Sequence, residues 1–410
     1  MTENMSRSKT QVIVASKAVA AFIAFALLCC IFSILQVGSL APEAFQYPTW
    51  TSWKVESYRQ LPDRANLVFL GSSLVHTPMG EADADLTRQS LDATRHHKSL
   101  VFEKRFQELT GLGIRSFSFA LPGEMPSDAY LITKFLLKGE RRPDVIVYGV
   151  GPRDFLESTL PDPSSTDPFR YLSRFGDYSE HLSLIKPGFI SRLDYELGRL
   201  LYPYGKKEDL QTATLRWTEN LISSILPSDI ETFNVHQRKK VLPEYHPYEV
   251  RRDEAFYHPD QSANTAFKDN LAEYRYRYKN LKWDTFKSQS RFFEDMLKVA
   301  AERGIHVVVV AMPITDLNRD LLKPEAKQAY LEKLATVTRQ QGAGFIDLDA
   351  SPEFELADFA DSVHLRSRGG KKFFDLIAEK LSGDRAVLAA LDAKPKDTQR
   401  ALAEREDSRL

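Results

Sequence analysis

The stretch Asn66–Ser73 reads NLVFLGSS, a short apolar run that passes directly into Gly71-Ser72-Ser73. A run of this kind, rich in β-branched and aromatic residues and closed by a turn-former, reads as a buried strand ending in a tight turn. Two more follow: Ile114–Leu121 (IRSFSFAL) into Pro122-Gly123, and Val145–Val150 (VIVYGV) into Gly151-Pro152. Between them, Asp128–Lys138 (DAYLITKFLLK) carries apolar residues at helical spacing, with Ser127 read as its N-cap. The pattern resumes late in the chain. Arg291–Arg303 (RFFEDMLKVAAER) has an amphipathic face, stops at Gly304 and feeds the strand Ile305–Met312 (IHVVVVAM). Pro324 opens a helical run to Gln340, a short strand follows at Phe345–Leu348, and a last helix covers about Gly369 to Leu381. Strands alternating with helices through short links predict a parallel α/β sheet with helices on both faces.

Leu156–Trp283 breaks this alternation. It is crowded with Tyr, Phe, Pro and Arg, as in Tyr274-Arg275-Tyr276-Arg277-Tyr278, and is read as a largely helical insertion between the third and fourth strands. The aromatic–arginine run is an amphipathic surface with snorkelling arginines or, alternatively, a binding platform lining a cleft. The expected organisation is a cytoplasmic tail (1–17), a transmembrane anchor (18–38), a linker (39–62), the two halves of an α/β domain (63–155 and 285–383) around the insertion (156–284), and a polar tail (384–410).

The anchor rests on composition. No Asp, Glu, Lys or Arg occurs from Ala18 to Pro42, and roughly 20 apolar residues match the ~30 Å hydrocarbon core of a bilayer. Arg7, Lys9 and Lys17 precede this stretch and Glu43 follows it, which keeps the N-terminus cytoplasmic and the rest outside. A cleaved signal peptide would have a shorter apolar region, and Pro42 would follow the cut at Ser39-Leu40-Ala41. The only cysteines, Cys29 and Cys30, lie inside this stretch, so neither a zinc site nor a thiol nucleophile is expected elsewhere. His96-His97 lacks partners at metal-ligand spacing, and no metal or other cofactor is expected. The 410 residues carry 55 basic and 56 acidic side chains, which gives no global basic field for nucleic acid.

Ligands of an open parallel sheet bind at the carboxyl ends of its strands. Ser73 follows the first strand, Gly123 the second, Arg153 and Asp154 the third, and Asp361-Ser362-Val363-His364 the fifth. A serine hydroxyl needs a base within hydrogen-bond reach to act as a nucleophile. His364 is the candidate base, Asp361 the group that orients it, and the backbone N–H groups of Ser73 and Gly123 the oxyanion donors. His76, close to Ser73, is read as a loop histidine without a role.

These residues resemble the SGNH (GDSL-type) hydrolases. Phe69-Leu70-Gly71-Ser72-Ser73 is similar to the first block of that family, Leu121-Pro122-Gly123 to the second, and Asp361-Ser362-Val363-His364-Leu365 to the Asp-x-x-His block. The resemblance implies a three-layer α/β/α, flavodoxin-like fold of strand order 2-1-3-4-5, with Ser73, His364 and Asp361 catalytic. The third block departs from the family pattern. Gly151-Pro152-Arg153-Asp154 has Arg where Gly-x-Asn-Asp has the oxyanion-hole Asn. Arg153 therefore replaces that amide, binds an anionic substrate group, marks lost hydrolytic power, or is merely paired with an acid such as Asp154; both Arg153 and Asp154 are expected at the substrate. The Gly-Ser-Ser turn resembles that of membrane-anchored members working in O-acylation of cell-wall or exported polysaccharides, often beside a multispanning acyltransferase. The expectation is an extracytoplasmic serine esterase or O-acyltransferase on a glycan or lipid ester. The alternative is a degenerate scaffold that binds glycan or assists a membrane acyltransferase.

Overall fold

Five parallel strands, β1 (Leu67–Gly71), β2 (Ser116–Ser118), β3 (Val145–Val150), β4 (His306–Ala311) and β5 (Gly344–Asp347), form one sheet in the order 2-1-3-4-5. The computed structural model describes residues 17–41, 49–93, 95–186, 188–225, 255–256 and 266–392. Arg7, Lys9, Pro42, Glu43, His258 and the polar tail beyond Asp392 lie outside these described residues. β1 is an inner strand, pairing Leu67 with Ser116 of β2 and with Val145 of β3. Every residue of β1 and β3 is buried, which is why these strands read as continuous apolar runs rather than alternating ones. β5, at the edge, is half-exposed and correspondingly less apolar.

The chain divides into two compact units, one holding the described residues of Met1–Tyr47 and Ser179–Pro247, the other those of Pro48–Tyr178 and Tyr248–Leu410. In the sheet-bearing unit, helices Ser73–Thr87, Leu100–Thr110 and Ser367–Ser382 pack together, and Pro126–Phe135 packs on Trp283–Glu302. Three expectations change. Asp128, not Ser127, serves the start of its helix, which begins at Pro126: its carboxylate accepts the Met125 N–H at 2.9 Å. The helix expected from Arg291 starts at Trp283, because Phe286, Gln289 and Phe293 continue its buried face. The linker is not bare chain. Thr49 and Ser52 form a reciprocal capping box for helix Trp50–Arg59, which buries Trp53, Lys54, Val55 and Tyr58, with Tyr58 against Phe117 and Phe119.

In the other unit, helix Lys17–Leu35 is the one described helix long and apolar enough to cross a membrane, and it ends three residues short of the expected Gly38. Beyond its end, Val37 O accepts the Tyr202 hydroxyl at 3.1 Å and Leu40 N–H donates to Asp209 at 3.3 Å. Helices Leu182–Ile185, Phe189–Leu200, Tyr202–Gly205 and Lys207–Ile225 also belong to this unit.

The first and last helices of the candidate site meet backbone to backbone: a methyl group on Gly370 would lie 2.4 Å from Pro78 O. Gly370→Ala is therefore expected to cost about 1–3 kcal/mol through overpacking, and a thermal melt of the full chain reads it. Gly113→Ala, at an open position, serves as control. Equal midpoints for the two variants contradict the close approach.

Candidate active site

Ser72 and Ser73 are placed by the turn that ends β1. Ser72 sits in extended conformation as the N-cap of helix Ser73–Thr87, so Ser73 is the first helical residue. Its N–H is among those with no acceptor within the helix. On the other side, the loop before helix Ser367–Ser382 is folded by its own aspartate. Asp361 Oδ1 accepts the N–H groups of Val363 (2.9 Å) and His364 (2.8 Å), a local turn that aspartate favours. Ser362 is held from three directions, by the Thr315 hydroxyl to its carbonyl (2.7 Å), Asn318 Nδ2 to its hydroxyl (2.9 Å) and its own N–H to Asn270 (3.1 Å).

The result is a continuous hydrogen-bonded chain. His364 Nδ1 lies 2.7 Å from Asp361 Oδ2, and His364 Nε2 lies 2.8 Å from Ser73 Oγ. Burial alone would raise the Asp361 carboxyl, but the His364 ring and the two loop N–H groups outweigh it and hold the pKa below the ordinary value. An ionised carboxylate only accepts, so Nδ1 must carry the ring proton and, in neutral imidazole, Nε2 is the acceptor for the Ser73 hydroxyl. That tautomer is the one a general base requires.

Ser73, Gly123, Arg153, Asp154 and His364 line one cavity of about 400 Å³, together with Trp50, Tyr274, Arg277 and Tyr278. Gly123 takes its position through a turn. Glu124 N–H donates to Leu121 O at 2.9 Å, with Pro122 first and Gly123 (φ +79°) second of the two central residues, the type II arrangement that calls for glycine there. Helix Leu271–Lys279 does not form a free surface. Tyr274, Arg277 and Tyr278 of the aromatic–arginine run line the cavity, while Tyr276 faces outward at 71% exposure.

Arg153 is tethered but not consumed. Its Nε donates to Glu157 at 2.9 Å, and Nη1 lies 3.7 Å from Asp154. Both Nη atoms border Gly123, about where a side chain on that residue would begin. Glu157, fully buried, also receives Arg277. Asp154, expected at the substrate, is also a brace: its Oδ2 accepts the Gly151 N–H at 2.8 Å and the Ser72 hydroxyl at 3.3 Å. A second brace gives no recognisable motif in the sequence. Glu124 accepts the N–H groups of Gly71 (3.1 Å) and Leu121 (3.2 Å), tying the nucleophile turn to the Gly123 turn. Lys54, itself buried, donates to Ser118 O at 3.1 Å and lies within electrostatic range of Glu124. His76 is buried between Trp50 and Phe256, and burial first, then Lys54 and its neighbouring histidines, drive its pKa well below the usual value. It is a neutral packing element.

Burial pushes several carboxyls up: Asp154 to about 6, Asp128 and Glu81 to about 7, and Glu124 well above its ordinary value. For such acids the folded chain holds more protons than the unfolded one between the two pKa values, so stability falls as pH rises through that window. The windows run from 3.8 to about 6 for Asp154, from 3.8 to about 7 for Asp128, and from 4.5 to about 7 for Glu81. Lys54, lowered by burial from 10.5 to about 7, has the opposite sign and restores stability only between those values. The melting midpoint at pH 5 is therefore expected to exceed that at pH 7.5 by ~3 °C or more, and Asp128→Asn should flatten the slope. A midpoint that rises from pH 5 to 7.5 contradicts this account.

No curated protein matches the chain. Residues 97–381 match a family described as protein of unknown function (DUF1574), a span that holds Gly123, Arg153, Asp361 and His364 and begins after Ser73. With well over half its length matched, the chain belongs to the DUF1574 family.

Proposed function

We propose that this chain is a single-pass membrane protein whose sheet-bearing unit is an SGNH-type serine esterase or O-acyltransferase, of three-layer flavodoxin-like architecture, acting on a glycan or lipid ester outside the cytoplasm. The observation that carries the reading is the Ser73–His364–Asp361 hydrogen-bonded chain. In the proposed reaction His364 Nε2 takes the Ser73 proton as Oγ bonds to the ester carbonyl carbon, and the carbonyl oxygen becomes an oxyanion. Backbone N–H groups of Ser73 and Gly123 and the Nη groups of Arg153 stabilise that oxygen. Collapse breaks the bond to the alkoxy leaving group, which takes the proton from the imidazolium, and acyl-Ser73 remains. Water or a sugar hydroxyl then attacks, again deprotonated by His364, and Ser73 Oγ leaves with the proton returned. Water gives an esterase, and a sugar hydroxyl gives a transferase.

The membrane placement rests on helix Lys17–Leu35 and on the basic residues Arg7, Lys9 and Lys17 before it. An anchored acyl-serine enzyme has a natural partner in a multispanning membrane acyltransferase that supplies its acyl group. One observation favours a second reading, a scaffold without turnover. Arg153 stands where the resemblance calls for a neutral amide.

A fluorophosphonate probe and p-nitrophenyl acetate hydrolysis by the full-length chain in detergent separate the two. The probe should label the wild type and not Ser73→Ala. Hydrolysis should fall ~10³-fold or more in Ser73→Ala and His364→Ala, and about 10²-fold in Arg153→Ala. Equal rates in wild type, Ser73→Ala and His364→Ala remove the enzyme and leave the scaffold. In membranes, detergent but not carbonate or high salt should release the chain, and release by salt alone removes the anchor.

A further inference from the structure

Among the described residues, the unit that contains helix Lys17–Leu35 has large apolar side chains that stay exposed. Helix Phe189–Leu200 (FISRLDYELGRL) is sharply two-faced. Phe189, Ile190, Leu193, Leu197 and Leu200 fall in one arc of about 100°, and Arg192, Glu196 and Arg199 lie outside it. Phe189 and Ile190 are 80% exposed and Leu200 74% exposed. None of the helix's residues is buried. In helix Lys207–Ile225 the residues Leu210, Trp217, Leu221 and Ile225 share one face by the same spacing, and Trp217 and Ile225 are again largely exposed.

The segment that joins these two helices, and the start of the second, meet the C-terminal end of the apolar helix. Leu210 packs against Gly38, where an added methyl would come within 2.7 Å of Leu210 Cδ2. Tyr202, two residues beyond the end of helix Phe189–Leu200, donates its hydroxyl to Val37 O. If Lys17–Leu35 spans the bilayer, the chain leaves the hydrocarbon at Gln36–Gly38, and Tyr202 and Leu210, between and within the two helices, lie against that exit. An exposed patch of this extent is unfavourable in water, whereas a two-faced helix lying in the plane of the headgroup–acyl boundary buries one face in lipid and keeps the other wet.

We propose that helix Phe189–Leu200, together with the Trp217–Ile225 face, is a second membrane contact, lying in the lipid interface beside the span. The occupant is lipid. Charges around the patch are mixed, with Lys186, Arg192, Arg199, Lys206 and Lys207 set against Asp194, Glu196, Glu208 and Asp209, so apolar insertion carries the contact and anionic lipid is not required. The proposal rests on the reading of Lys17–Leu35 as a span, and its test keeps the two separable.

The full chain with Cys29→Ser and Cys30→Ser carries one cysteine at a time, introduced by Ile190→Cys, Glu196→Cys or Ala24→Cys. Each is labelled with an environment-sensitive fluorophore and reconstituted into phosphatidylcholine vesicles at high lipid excess. The label at position 190 should be quenched at least about twofold by shallow lipid-borne nitroxide, more than by deep nitroxide, and be shielded from iodide. The label at 196 should remain open to iodide, and that at 24 should be quenched by deep nitroxide. A label at 190 as open to iodide as that at 196, with 24 deep in lipid, overturns the interfacial contact alone and assigns the face to a protein partner. A label at 24 outside the lipid overturns the span and the contact together.

Discussion

The candidate site depends on a close approach of two helix backbones. Ser73 opens one helix, His364 lies three residues before another, and the two meet where Gly370 packs on Pro78 with no room for a methyl group. Beneath that contact Phe69 of β1 meets Phe102 and Phe374 edge to face, at centroid distances of 5.2 and 5.6 Å. Strand, serine-bearing helix and histidine-bearing loop are thus fastened to one apolar cluster. A hydroxyl and an imidazole separated by 291 positions come within 2.8 Å of each other through that packing, because neither side chain is long enough to bridge a wider gap between helices.

Buried carboxylates then fix the turns around Ser73. Glu124 joins the Gly71 turn to the Leu121 turn, and Asp154 joins Ser72 to Gly151. Buried polar groups need hydrogen-bond partners, and these acids supply acceptors to the Gly71 and Gly151 N–H groups and to the Ser72 hydroxyl. The arrangement carries a desolvation cost, visible in the raised pKa values of both acids and the lowered one of Lys54. These contacts fix the loop geometry, since Glu124 and Asp154 each hold two points of the turns at once.

Much of this was legible in the residues because it is local or periodic. The five strands announce themselves as short apolar runs ended by glycine, proline or a polar turn, and the 2-1-3-4-5 order observed is the one the resemblance implied. The rule that ligands gather at strand ends picked out Ser73, Gly123, Arg153, Asp361 and His364, all close to those ends, and four of the five line the cavity while Asp361 backs the histidine. What stayed hidden depends on distant partners. Lys54 and Trp50 lie in a segment whose sequence reads as a linker, and only tertiary packing turns it into a buried helix. Glu124 looks like an ordinary surface acid after Gly123. Tyr274 and Tyr278 share a helix face with Arg277, but only the fold decides that this face meets the cavity rather than solvent.

The arginine in the third block changes what an oxyanion site can do, and its tether determines how. A neutral amide offers one or two donors and no net charge, whereas a guanidinium adds a full positive charge that stabilises any anion it meets. Left loose, such a group would be a poor catalyst, since orienting a long side chain at the moment of reaction costs entropy. Glu157 removes that freedom by holding Nε, and because it also receives Arg277, one carboxylate is shared between two guanidinium groups. In the proposed reaction negative charge grows on the carbonyl oxygen as the transition state is approached, so a fixed cation beside Gly123 interacts more strongly with that state than with a neutral ester. That difference is what lowers a barrier. In the proposed reaction an arginine in this position can act because it is pinned, and the buried Glu157 is the residue that pins it.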